Sequence, residues 1–100
     1  MTKVRLNTVI HAPNRLQICA FLTPLQEAKF QVLRDELGVS DSVLSKHLKQ
    51  LEEAGYVVFR KGAVNGRQRM WASLTKSGRE AFSEHVEELK RIASVIDYGR

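Results

Sequence analysis

Ser42, Lys46 and Lys49 fall on one side of a helix if the stretch from Ser40 to Gly55 turns by 100° per residue. Val43, Ser45 and Gln50 lie at the margins of that side, and Leu44, Leu48 and Leu51 lie opposite. The chemistry on offer is hydrogen bonding and charge. Hydroxyls and a carboxamide at Ser42, Ser45 and Gln50 can pair with the edges of bases, while two ammonium groups attract phosphates. A second basic set follows at Arg60, Lys61, Arg67 and Arg69, with no acidic residue between them. Both sets suit an anionic polymer with a groove. The plainer alternative is two solvated, charged surfaces.

Other reactive residues are scattered. Asp35-Glu36 and Glu52-Glu53 are adjacent pairs that leave a helix in different directions, which makes poor acid–base partners. There is no glycine-rich phosphate loop and no zinc-ligand spacing, so no enzyme, cofactor or metal is expected. His85 and Glu88 are three apart, but such pairs are mostly surface charge. His47 stands on the shoulder of the leucine face, where packing or capping is expected ahead of a ligand role. Cys19 sits on an apolar face and reads as an inert buried thiol. Trp71 is either a cation–π partner of Arg60 or one wall of an effector cavity.

The elements that must hold these residues follow from the apolar pattern. Ser40 suits an N-cap, Asp41 suits the positive end of the helix dipole and Gly55 suits the stop, which frames a helix over 40–54. A shorter helix over about 31–37 precedes it across Gly38-Val39-Ser40, giving helix, three-residue turn, helix. Phe30 is expected to form a very short strand before that helix. Further back, Leu6, Val9 and Ile10 predict a short first helix. Pro13 opens a second, with Leu16, Cys19, Ala20 and Phe21 as its apolar face and Pro24 as its end.

Downstream, Tyr56 to Phe59 and Met70 to Ala72 are β-rich around Asn65-Gly66, a strong two-residue hairpin signal. With that turn, Val64 faces Arg67, Gly62 faces Arg69, Arg60 faces Trp71 and Val58 faces Ser73. Val57, Phe59, Met70, Ala72 and Leu74 then share one face, and a one-residue slip would bury arginines. From Thr75 onward, Phe82, Val86, Leu89, Ala93 and Ile96 step by four and three. Such a narrow seam predicts a long helix packed against a second copy, with Leu6 and Ile10 of the first helix assisting.

The chain of 100 residues is sized for a single domain, 1–100, and the expected division is a 6–74 core that binds DNA, with its wing at 56–74, and a dimerisation helix at 75–97. Its net charge is +5, and the positive surplus lies ahead of Thr75. One cysteine permits no internal disulfide, and no apolar run has membrane-spanning length. A cytoplasmic protein with no membrane contact is expected.

PNRLQICAFL, LGVSDSVLSKHLKQLEEAGYV and LTKSGREAF together resemble the winged-helix regulators of the MarR and ArsR type, with the small MarR-like group most similar. The resemblance spans about 6–93. It implies a mainly α fold with a β-hairpin wing in the order α-α-(β)-α-α-β-β-α, a homodimer joined by terminal helices, and operator DNA near a promoter. It maps Ser42, Ser45, Lys46 and Lys49 onto the groove-entering helix and Arg67 and Arg69 onto the wing. The cysteine pairs of metal-sensing relatives are missing from 40–54. The expectation is a homodimeric, sequence-specific DNA-binding repressor, with a pseudo-palindromic operator and an effector, if any, of unknown identity. The alternatives are a winged-helix module that docks protein, and a chromosomal protein that coats DNA without sequence preference.

Overall fold

The computed structural model describes residues 5–98. Its elements are α1 (Pro13–Leu22), β1 (Ala28–Lys29), α2 (Phe30–Leu37), α3 (Asp41–Glu53), β2 (Val57–Val64), β3 (Arg67–Leu74) and α4 (Lys76–Tyr98). The three strands form one antiparallel sheet in the order β1-β3-β2. Ile10, Ile18, Cys19, Leu22, Leu33, Leu44, Leu48, Leu51 and Val57 are essentially without exposure and make one core beneath α1, α2, α3 and the sheet. It is the winged-helix layout that the resemblance implied.

The hairpin keeps the register deduced from its alternation, with Val64 opposite Arg67, Gly62 opposite Arg69, Arg60 opposite Trp71 and Val58 opposite Ser73. Asn65 at φ 52° and Gly66 at φ 76° carry the left-handed conformations that a tight hairpin turn demands. Val57, Ala72 and Leu74 are buried and Phe59 is half-buried, so the apolar face lands on the core.

Four expectations are corrected. The residues from Leu6 to Ile10 form a turn and not a first helix. Asn7 explains it: its Oδ1 accepts from the N–H groups of Val9 and Ile10 at 3.0 and 3.1 Å, a local side-chain bond that competes with helix propagation. Ile10, expected at a dimer interface, is fully buried in its own core. The short strand is Ala28–Lys29, paired with Trp71 and Ala72, and Phe30 already belongs to α2. In α1 the buried side chains are Ile18, Cys19 and Leu22, while Ala20 is exposed. The helix stops at Leu22, where the Thr23 hydroxyl donates to the Cys19 carbonyl at 2.7 Å.

The entry to α4 is set by Thr75. Its N–H donates to the Tyr56 carbonyl at 3.0 Å, its hydroxyl donates to the Gly55 carbonyl at 2.6 Å, and the same oxygen accepts from the Gly78 N–H at 2.9 Å. Arg79 then reaches the Thr23 and Leu25 carbonyls at 2.6 and 2.9 Å, which ties α4 to the end of α1. With 23 residues α4 is about 34 Å long and runs beyond the core that anchors its first turns. Along it Phe82, Val86 and Leu89 are half-buried, Ala93 is exposed, and Val95 and Ile96 are 61% and 60% exposed. Leu6 is half-buried. No helix of the described residues is long and apolar enough to cross a membrane.

Candidate nucleic-acid interface

The face of α3 follows from its caps and its leucines. Ser40 Oγ accepts from the Val43 N–H at 3.2 Å, which closes the first turn, and Arg34 of α2 holds Asp41 at 3.0 Å. Leu44, Leu48 and Leu51 turn completely inward. Ser42, Ser45, Lys46, Lys49 and Gln50 are consequently all exposed. The hydroxyl and lysine side of the helix therefore points outward, as its periodicity predicts.

One flank of α3 faces the wing. Ser45 and Asp41 line a cleft of about 370 Å³ together with Lys29, Gln31, Gln68 and Arg69, over an apolar floor of Phe30 and Met70. Lys29 and Gln31 are candidate contacts that sequence reasoning did not single out, Gln31 as the first residue of the helix expected over 31–37 and Lys29 just ahead of it. Their signal was the two-residue strand, whose pairing with β3 brings Lys29 opposite Trp71.

The basic set on the hairpin divides. Arg67, Arg69 and Arg60 alternate on the outer side with Trp71, whereas Lys61 pairs with Met70 and lies on the side continuous with the core. That is the side from which Met70 and Gln68 approach Ser45. Arg60 is already engaged. Its Nη2 and Nε donate to the Glu27 carboxylate at 2.6 and 3.1 Å, and its guanidinium carbon stacks 4.0 Å over the Trp71 ring. The hydrogen bonds from Arg60, aided by its charge, hold the Glu27 carboxyl below its usual range. Arg60 is thus a brace between the wing and the segment before β1, and its charge is largely answered within the protein. Of the two sequence readings of Trp71, the geometry supports the cation–π one.

The other flank of α3 faces α1. Arg15 donates through Nε to the Val9 carbonyl and through Nη1 to Gln50 Oε1 at 2.5 Å, and it lies 3.2 Å from His47 Nδ1. Gln50, expected to read bases, has its carboxamide oxygen tied back to α1. Because a guanidinium can only donate, the neutral His47 ring accepts from Arg15 at Nδ1 and carries its hydrogen on Nε2, on the side of the Asn14 carboxamide. Burial, and then the charges of Arg15 and Lys46, hold His47 below the ordinary imidazole range. His47 is a neutral spacer between helices.

His85 departs most from expectation. It is 1% exposed and not a surface group, with Nδ1 accepting from the Asn7 N–H at 3.1 Å. Among the described residues no group of three or more His, Cys, Asp or Glu side chains is placed to hold a metal ion. Cys19 is buried, and desolvation pushes its thiol up to about 11, which keeps it protonated.

Residues 14–93 match the model of the winged helix DNA-binding domain family. An uncharacterized protein of Methanocaldococcus jannaschii, MJ0432, is 34% identical over 83 residues, covering 83% of this chain and 90% of that protein. Among solved structures, a transcriptional regulator homologue from Pyrococcus horikoshii OT3 superposes with a TM-score of 0.85 at 27% identity, over 91% of this chain and 90% of that one. NadR, solved in complex with 4-hydroxyphenylacetate, superposes with a TM-score of 0.72 at 25% identity, over 92% of this chain and 64% of that one. The chain belongs to the winged helix DNA-binding domain family, and the solved structures it resembles are transcriptional regulators of the MarR type.

Proposed function

We propose that the protein is a cytoplasmic, homodimeric repressor that recognises a pseudo-palindromic operator in double-stranded DNA. The observation that carries this reading is the outward side of α3, where Ser42, Ser45, Lys46 and Lys49 stand clear of the core. In the proposed complex the N-terminal turn of α3 enters the major groove. Ser42 and Ser45 read base edges, and Lys46 and Lys49 neutralise phosphates along the groove wall. Arg67 and Arg69 of the wing, with Lys61 and Lys29 beside the cleft, follow the flanking backbone. Arg60 and Gln50 act indirectly, as wing brace and helix anchor. The twofold comes from α4 through Val86, Leu89, Ala93 and Ile96, with Phe82 and Leu6 at its edge. Half-sites are then about one helical turn apart, or a multiple of it. A small-molecule effector, if one exists, acts by changing the spacing of the two α3 helices through this interface.

Selection from a random duplex pool tests the reading as a whole. The expected result is an enriched, twofold-symmetric sequence. Enrichment without symmetry would remove the dimer, and binding without enrichment would favour a coating protein over a regulator. Failure to bind duplex at all would favour a protein-docking module. The interface has its own check. Leu89→Glu with Ile96→Glu places four carboxylates in the apolar seam of a dimer, and sedimentation should shift from dimer to monomer with the fold intact. A wild-type chain that sediments as a monomer at about 10 μM, where standard-sized interfaces of nanomolar affinity are closed, would refute the assembly.

A further inference from the structure

Asn7 ties three parts of the molecule together, away from the proposed DNA face. Its N–H donates to His85 Nδ1 at 3.1 Å on α4, and its Nδ2 donates to the Tyr56 hydroxyl at 2.9 Å at the α3–β2 junction. Its Oδ1 holds the turn that drives Ile10 into the core. On the far side of His85, Nε2 lies 3.1 Å from His11 Nδ1, and the two rings meet edge to face at 5.1 Å.

The donor order is forced. A backbone N–H can only donate, so His85 Nδ1 carries the lone pair and Nε2 carries the hydrogen. His11 Nδ1 must then accept. The sequence of bonds runs from Asn7 to His85 to His11, and it closes only while His85 is neutral and His11 keeps Nδ1 bare. A proton on His85 Nδ1 would face the Asn7 N–H, donor against donor, inside the protein.

We propose that this hydrogen-bond chain is an acid-sensitive latch, which at neutral pH pins the segment 5–11 to α4 and to Tyr56 and which one proton on His85 releases. The surroundings supply nothing to offset that proton. The N-terminal segment brings Arg5 and His11, and the α3–β2 junction brings the neutral Tyr56 phenol. From α1 come Arg15, committed to Val9 and α3, and the protonated Cys19 thiol. On α4 itself Glu84 is exposed, and Glu88 is paired with Arg91 at 2.5 Å. Among the described residues no carboxylate hydrogen-bonds either ring.

Burial first, and the neighbouring charge of His11 second, hold His85 below the ordinary imidazole range. The released segment leaves His85 in water with its normal affinity for protons. Release therefore takes up a proton, and the latch is fully closed above about pH 6.5 and weakens as the pH falls below it. Opening draws Ile10 out of the core and unseats the part of α4 next to Phe82 and Val86.

Amide hydrogen exchange of the intact protein, read residue by residue, tests the latch. Between about pH 7.5 and 5.5 the protection of the Val9 and Ile10 amides, corrected for the intrinsic rate, should drop on the order of tenfold relative to core amides of α2. Nitrogen-15 shifts of the His85 ring should report an Nε2–H tautomer at the upper pH, with the ring protonating only below the pH at which the amides begin to lose protection. His85→Asn, whose Oδ1 can replace Nδ1 as a non-titrating acceptor, should keep the protection flat. Wild-type protection that does not change with pH, an Nδ1–H tautomer of His85 at the upper pH, or an equal loss in His85→Asn would each overturn the proposal. The first two measurements need no variant to fold.

Discussion

Gly78→Ala is expected to destabilise the fold by about 3 kcal/mol or more, at the upper end of what overpacking costs. Gly78 lies in the first turn of α4, directly over the last residue before β2. A Cβ built there would sit 2.1 Å from the Tyr56 carbonyl oxygen and 2.9 Å from its carbon. Those atoms are backbone, so no rotamer change relieves the overlap. The Tyr56 carbonyl also accepts from the Thr75 N–H, and shifting it would break the bond that starts α4. Gly66→Ala is the control. It strains a positive φ of 76° but meets nothing within 4 Å, which predicts a loss of about 1 kcal/mol. Urea denaturation of both variants provides the comparison. Equal midpoints would mean that α4 can move off Tyr56 freely.

The second large effect concerns binding. Lys46→Ala combined with Arg67→Ala should weaken duplex affinity by about a hundredfold or more at physiological salt and leave the fold unchanged, since both side chains are exposed. Each phosphate that no longer meets a protein cation should reduce the slope of log K against log salt by about 0.9, and in a dimer each substitution acts at both half-sites. Arg60→Ala should behave differently. It removes the Glu27 pair and the Trp71 stack, so it should loosen the wing while barely changing the salt slope. A protein-docking module would bind duplex weakly before and after, with no change of slope. Titrations at three or more salt concentrations separate these outcomes.

Local signals carried far in this chain where one period ran unbroken. The leucines of α3, framed by Ser40 and Gly55, were enough to orient Ser42, Ser45, Lys46 and Lys49. The hairpin register followed from Asn65-Gly66 and from the cost of burying an arginine. What stayed illegible depended on partners distant in sequence. Nothing near His85 shows that a backbone N–H 78 positions earlier will donate to it in the interior. Arg60 looked like its neighbours Arg67 and Arg69 because Glu27, 33 positions away, cannot be matched to it by periodicity. The tie of Gln50 to α1 is hidden for the same reason, since it runs through Arg15, 35 positions away. The turn at Asn7 was lost to a competition between a side-chain bond and an apolar helical pattern, which the pattern alone does not settle.

The two residues of β1 have an effect out of proportion to their length. Ala28 and Lys29 hydrogen-bond with β3 and continue without a break into Phe30, the first residue of α2. Bending the wing would therefore have to tilt the first helix of the helix-turn-helix as well. In the proposed complex the hairpin meets DNA with its conformational entropy already lost during folding, so ordering it subtracts little from the affinity. A wing of this kind favours duplexes whose backbone already has the matching curvature, and base pairs that no side chain touches can then influence the choice of site.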